Sequence, residues 1–245
     1  MSRASRQAIL ADIRRACTER RGKSGIAEVA ARLADRAPGP IPARARIERE
    51  SQIALFAAEA ERVQASVVRV KRLGDVPGAV AQYLARHNIE PRLKCAPDPT
   101  LRNIPWSEHS ALSVTEGKGE RDDPVGVTGA FAAVAETGTI VLASGPESPT
   151  TLALVPPVHI AVMPVVRLVG TYEEVWAALR AKGAVPTAGG RKTESVPEKS
   201  FDMPRAVNWI TGPSRTADIE QTLLLGAHGP QRLFIVLVDE ENAEA

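Results

Sequence analysis

A chain of 245 residues, 44% hydrophobic and 24% charged, is ordinary for a globular protein with a real core: one large domain, or a domain with an N-terminal extension. Its two cysteines, Cys17 and Cys95, stand far apart without a CxxC, which excludes a disulfide framework, a structural zinc site and an iron–sulfur centre. The net charge of +2 is uneven, with 16 Lys/Arg against 9 Asp/Glu in residues 1–75 and 15 against 20 in the remainder. The basic residues are nevertheless interleaved with acids and meet no aromatic before Phe56, so they read as a solvated helix face and no nucleic-acid partner is expected. No apolar run approaches a membrane span and the N-terminus lacks an apolar signal region, so a reduced, cytoplasmic setting is expected.

In chain order, Ile9, Leu10, Ile13 and Ala16 recur at helical spacing within residues 5–19, and a weaker helical stretch covers Ile26 to Leu33. The Pro-rich segment from Ala37 to Pro42 breaks this pattern, so residues 1–42 read as a helical arm with a linker, and residues 43–245 as the main domain. There the periods alternate. Helices are expected over Glu48–Gln64 and Val76–His87, and strands at Ser66–Val70, Arg92–Cys95 and Ala111–Val114. The almost uncharged run Val125–Ser144 is buried strand or strand-and-helix material, interrupted only by Glu136. Leu152–Leu154 reads as a helical turn, His159–Met163 and Val165–Val169 as strands, and Thr171 as the cap of a helix through Ala181. Gly183–Pro204 is a long loop. A strand over Ala206–Ile210, a helix over Ser214–Leu225 closed by Gly226, and a last strand over Leu233–Val238 complete the reading. Scarce aromatics and alternating helices and strands give an α/β class with an open, mainly parallel sheet flanked by helices.

Gly22-Lys23-Ser24 has the look of a phosphate-loop end, but Cys17 stands where the first glycine belongs and a basic helix precedes it. No GxGxxG occurs. The strongest local signal is strand, then Thr211-Gly212-Pro213-Ser214-Arg215-Thr216, then helix: N–H groups at a helix start suit a carboxylate or phosphate, and Arg215 adds a bidentate clamp. A capped helix with a surface arginine fits the same residues equally well. A second signal is Glu136-Thr137-Gly138-Thr139, where a carboxylate in an apolar run is costly to bury unless paired or functional, and a turn with an exposed Glu is the plain alternative. His228, past the expected helix end, is a candidate acid or base or a C-cap residue, and His159 opens an apolar strand where a core histidine is common. Glu136, His159 and His228 lack any local metal-ligand spacing, and no metal is expected.

Taken together, Gly126-Val127-Thr128-Gly129-Ala130, Val134-Ala135-Glu136-Thr137-Gly138-Thr139, Pro156-Pro157-Val158-His159-Ile160, Thr211 to Glu220 and Gly226-Ala227-His228-Gly229-Pro230 occur in this order. That series resembles the lactate-utilisation (LUD domain) family, in particular its single-domain C branch, LutC, also called YkgG. The resemblance covers about Gly126 to Val238 and fades before about residue 48. It implies a fold like that of the NagB/RpiA/CoA-transferase group, with ligands near the carboxyl ends of the strands. It also implies a role beside LutA-like and LutB-like partners, whose iron–sulfur clusters serve the oxidation of L-lactate to pyruvate. No cofactor is expected in this chain, which fits the member without clusters.

Three functions follow. In the first, the chain is the non-cluster subunit of an L-lactate oxidation system. A lactate or pyruvate carboxylate then sits on Gly212, Ser214, Arg215 and Thr216, with Glu136, Thr137, Gly138 and Thr139 on the opposite wall and His228 or His159 taking the hydroxyl proton. In the second, it is a stand-alone isomerase-like enzyme on a phosphorylated or carboxylated sugar, with Glu136 as base. In the third, it is an assembly module without chemistry, docked through its basic arm. Whether the subunit itself catalyses a step is left open by the sequence.

Overall fold

The computed structural model describes residues 3–20, 28–29, 31, 39–181, 204–216, 224–226 and 228–239. The chain divides into two compact units, Met1–Pro40 and Ile41–Ala245. The first contains helix α1 (Arg3–Arg20), in which Arg15 pairs with Asp12 across one turn at 3.5 Å. Most of the expected Ile26–Leu33 helix lies outside the described residues.

The second unit is built on a six-stranded, wholly parallel sheet of β1 (Ser66–Val70), β2 (Arg92–Cys95), β3 (Ser113–Glu116), β4 (Val125–Gly129), β7 (Val158–Pro164) and β12 (Arg232–Val238). Their order across the sheet is β1-β12-β7-β4-β2-β3. The central strands β4, β7 and β12 are apolar on both faces, as a sheet covered on both sides requires. Ala161, Met163, Leu233, Ile235 and Leu237 face helix α2 (Arg49–Arg62) through Ile53, Phe56 and Ala60. Val158, Ile160 and Val162, with Phe234, Val236 and Val238, face the other way, toward helix α3 (Val76–Arg86) through Val80, Tyr83 and Leu84. Two single-turn helices, α4 (Pro99–Arg102) after β2 and α5 (Thr151–Leu154) before β7, add Leu101 and Leu152 to that second layer.

A second sheet shares the α2 layer. Strands β5 (Ala132–Val134), β6 (Thr139–Ala143), β8 (Leu168–Val169) and β9 (Val207–Ile210) lie in the order β8-β5-β6-β9. One face of it, with Ala133, Ile140, Leu142 and Leu168, packs into the core beside α2, and the other, with Ala132, Val134, Val141 and Val169, packs on helix α6 (Tyr172–Arg180). The Glu174 carboxylate accepts from both the N–H and the hydroxyl of Thr171 at the start of α6, at 2.8 and 3.0 Å. Glu174→Ala is expected to cost about 1 kcal/mol and lower Tm by about 3 °C, read by a thermal melt.

Three expectations are corrected, and a fourth, for Val125–Ser144, is narrowed. The third strand is Ser113–Glu116, not Ala111–Val114, because the Leu112 N–H is spent on the His109 carbonyl in a turn. Val165–Arg167 is a 3-10 turn, and only Leu168–Val169 pairs, while the Arg49 guanidinium donates to the Val165 and Leu168 carbonyls. The Val125–Ser144 run is three strands with a 3-10 turn, Ala135–Thr137, between the last two. Finally, β10 (Arg215–Thr216) pairs antiparallel with β11 (Leu224–Leu225), so the ends of the expected Ser214–Leu225 helix are strand. Residues 217–223 between them, and residues 183–203 of the expected long loop, lie outside the described residues.

Candidate functional site

Two turns meet at the amino ends of β7 and β12. The first follows β9. Gly212 there has φ 84°, in the left-handed region, and a Cβ on it would lie 2.5 Å from the Val63 carbonyl oxygen, so no other residue fits this bend without strain. The second turn, His228-Gly229-Pro230, leads into β12. Backbone bonds stitch them together: Ser214 N–H donates to the Pro230 carbonyl at 2.8 Å, and Gly226 N–H to the Ser214 carbonyl at 2.9 Å. Between them opens a cleft of about 250 Å³ whose polar wall includes His159, Thr211, Ser214 and His228 and whose apolar wall includes Leu154, Ile210 and Leu233.

His159 is the second residue of β7, on the face turned toward α2, and only 1% exposed. Its Nε2 lies 2.8 Å from the Thr128 hydroxyl, while its Nδ1 has no hydrogen-bond partner. Burial pushes the imidazole down to about 4, so at neutral pH it is uncharged. A buried ring nitrogen without a partner at the wall of a cleft is costly unless a ligand or water completes it. His228 is exposed and lines the same cleft.

Behind Thr211 lies a cluster of hydroxyls. Thr139 Oγ1 is 2.7 Å from Thr211 Oγ1, 2.7 Å from Thr137 Oγ1 and 3.0 Å from the Tyr172 hydroxyl, which is itself 3.0 Å from Thr137. Through Thr211 the cluster reaches the cleft wall. It exists because Gly138, at φ 63°, reverses the chain between β5 and β6 and brings Thr137 and Thr139 to one side.

The residues singled out in the sequence thus separate. Ser214, Gly212, His159 and His228 line one cleft, and Thr137 and Thr139 support its wall. Glu136 is elsewhere. It is buried in the 3-10 turn, its N–H donates to the Gly170 carbonyl at 3.2 Å, its Oε2 has no partner, and it is not among the residues lining the cleft. Arg215 is exposed and donates through Nη2 to the Val63 carbonyl at 3.0 Å, beside the carboxyl end of α2, where a cation is favourable; it does not line the cleft. Thr216 pairs through its backbone in β10, so the described residues place no helix start, and no helix dipole, behind Ser214. Tyr172 was not singled out, and Thr128 and Thr211 were read only as members of their motifs without a role, since contacts up to 72 residues apart leave no local spacing to find. Among the described residues no three His, Cys, Asp or Glu side chains converge as metal ligands, and no helix is long and apolar enough to cross a membrane.

Comparison with known proteins places these segments in context. Residues 122–238 match the LUD domain family. The chain is 39% identical over 113 residues to an uncharacterized protein of Neisseria meningitidis, an alignment covering 46% of this chain and 41% of the relative. It is 36% identical to a lactate utilization protein C of Halalkalibacterium halodurans (55% of this chain, 52% of the relative) and 31% identical to one of an Exiguobacterium species (65% and 62%). The chain therefore spans about half the length of the curated relatives it matches. A crystal structure of a DUF162 family protein from Deinococcus radiodurans shares the α/β fold, with a TM-score of 0.51 at 22% identity over 78% of this chain and 99% of that one.

Proposed function

From the premise that residues 122–238 of this chain are a LUD domain, we propose that it serves lactate utilisation as the non-cluster member of an L-lactate oxidation system, holding a small carboxylate in the cleft between the Thr211–Ser214 and His228–Pro230 turns. The observation that carries this reading is the convergence of Ser214, His159 and His228 on one cleft of about 250 Å³. Three chemically distinct parts of lactate find matching walls there. The carboxylate meets the Thr211 and Ser214 hydroxyls, the methyl meets Leu154, Ile210 and Leu233, and the 2-hydroxyl meets the imidazoles.

The two histidines divide the work. His159, kept uncharged by burial, is a weak base and serves as a fixed hydrogen-bonding group. His228, at the exposed mouth, takes the hydroxyl proton and passes it to solvent. Oxidation to pyruvate also breaks the C2–H bond, and the proposal routes that hydrogen with its two electrons, a hydride equivalent, to LutA-like and LutB-like iron–sulfur partners in the cytoplasm. The cleft lies at the amino ends of β7 and β12, so the proposal keeps the NagB/RpiA/CoA-transferase likeness for the fold alone and departs from its expectation of ligands near the carboxyl ends of the strands.

The test is a thermal-shift titration of the full chain with L-lactate, pyruvate, phosphate and ribose 5-phosphate, on wild type, Ser214→Ala and His228→Gln. At about 100 times its Kd, lactate or pyruvate is expected to stabilise the wild type by roughly 2.7 kcal/mol, and each variant less. Stabilisation by ribose 5-phosphate alone would replace this reading with a sugar-phosphate enzyme. A lactate shift that survives in both variants would remove the cleft from it.

A further inference from the structure

In the parallel register Thr128 of β4 stands opposite Ala161 of β7, two residues along from His159. Thr128 and His159 are therefore diagonal neighbours on the face turned toward α2. Thr128 is fully buried, and its hydroxyl has one hydrogen-bonding neighbour among the described residues, the His159 Nε2 at 2.8 Å. The other ring nitrogen, Nδ1, has none. An uncharged imidazole carries a single N–H, on one nitrogen or the other, and a count of hydrogens separates the two forms. With the hydrogen on Nε2, the hydroxyl accepts, and both its own hydrogen and the bare Nδ1 are left unmet. With the hydrogen on Nδ1, the hydroxyl donates to Nε2, and only the Nδ1–H is left over. Each unmet buried group costs about 1–3 kcal/mol, so the second form prevails.

We propose that Thr128 is a positioning residue whose hydroxyl holds His159 in the Nδ1–H form, so that the ring serves the cleft as a hydrogen-bond donor and selects ligands that present an acceptor oxygen to it. What this N–H binds rests on the lactate reading of the cleft; which nitrogen bears the hydrogen does not. Among the described residues no Asp or Glu lines the cleft, so the N–H meets an oxygen of the ligand and no side-chain carboxylate competes for it. The 2-oxygen of lactate accepts from His159 and keeps its own hydrogen free for His228. The 2-oxygen of pyruvate, an acceptor only, suits the same donor. L-Alanine has the size of lactate but places an ammonium at this position, which has donors only and is turned away.

The test uses the full chain with nitrogen-15-labelled histidine, as wild type, Thr128→Val and Thr128→Ser, with circular dichroism checking that each is folded. Long-range proton–nitrogen spectra show which ring nitrogen is bare, and His159→Leu identifies the signals of this ring. Wild type and Thr128→Ser, which keeps the hydroxyl, are expected to show a bare Nε2 and a protonated Nδ1. Thr128→Val, of the same shape without the hydroxyl, should lose that pattern. In calorimetric titrations the Kd for pyruvate should rise about tenfold in Thr128→Val, the worth of one hydrogen bond, and recover in Thr128→Ser, while L-alanine binds none of the three. A wild-type ring protonated on Nε2, or one unchanged in Thr128→Val, would overturn the positioning role whatever the cleft binds. A changed ring with the same pyruvate Kd in all three proteins would overturn the selection of ligands by this donor. The expected ring pattern with no binding of lactate or pyruvate to wild type would support the role of Thr128 and count against the lactate reading alone.

Discussion

Gly138→Ala is expected to be about 3 kcal/mol less stable than wild type and to melt about 10 °C lower. Two causes add. Gly138 sits at φ 63°, where a side chain costs roughly 1–2 kcal/mol. The new methyl would also stand 2.2 Å from the Ala60 backbone nitrogen and 2.6 Å from its Cα, in the middle of the contact between the Ala135–Thr137 turn and α2. Backbone cannot swing aside as a flexible side chain does, so the turn and helix must part, and overpacking of this kind costs about 1–3 kcal/mol. Gly74→Ala, where nothing lies within 4 Å and φ is ordinary, is the control and should lie within about 0.5 kcal/mol of wild type. Equal denaturation midpoints for the two variants would contradict the tight contact.

The second large effect is on pH dependence. Burial holds His159 at about 4 in the fold, against 6.5 for a freely solvated histidine side chain. Between these values the unfolded chain binds a proton that the folded chain refuses, so stability rises with pH across this window and falls as pH drops from 6.5 toward 4. The site alone should remove about 2 kcal/mol between pH 7 and pH 4.5. Urea unfolding of wild type and His159→Leu at both pH values isolates it, because all other titrating groups are shared. The variant should lose less stability on acidification by about that amount, though it is less stable at pH 7 for want of the Thr128 bond. Parallel losses in the two proteins would mean that His159 is not held neutral.

How far the residues reveal the fold depends on how local the cause of each element is. Ser66–Val70 and Arg92–Cys95 are strands where short β-branched or apolar runs sit between turn signals, and the capping pair Thr171 and Glu174 marks its own helix. The Val125–Ser144 run gave no such answer, because a segment buried on both faces loses the polar–apolar alternation that tells strand from helix. Its folding into a second sheet rests on strands β8 and β9, which arrive from roughly 30 to 70 residues away. The Thr211–Thr216 segment shows the opposite failure. Its capping residues and following apolar positions read as a helix start, yet Arg215 and Thr216 pair with Leu224 and Leu225, and a backbone pairing overrides local propensity.

The candidate site divides the same way. Ser214 and His228 were visible because each sits in a Gly-Pro turn whose residue types have a local purpose. The neutrality of His159, the hydroxyl cluster behind Thr211 and the separation of Glu136 and Arg215 from the cleft were not visible, because burial and side-chain direction arise only when distant strands are brought side by side. By itself the sequence determined the α/β class and most of the elements, since these follow from local period and residue type, and its motif series from about Gly126 to Val238 carried the resemblance to the LUD domain family that the match over residues 122–238 supports. Only the tertiary structure decided which nominated residues share a cleft and which end of the strands it occupies. That is a matter of strand order, and β1-β12-β7-β4-β2-β3 is set by packing over the whole chain and not by any segment of it.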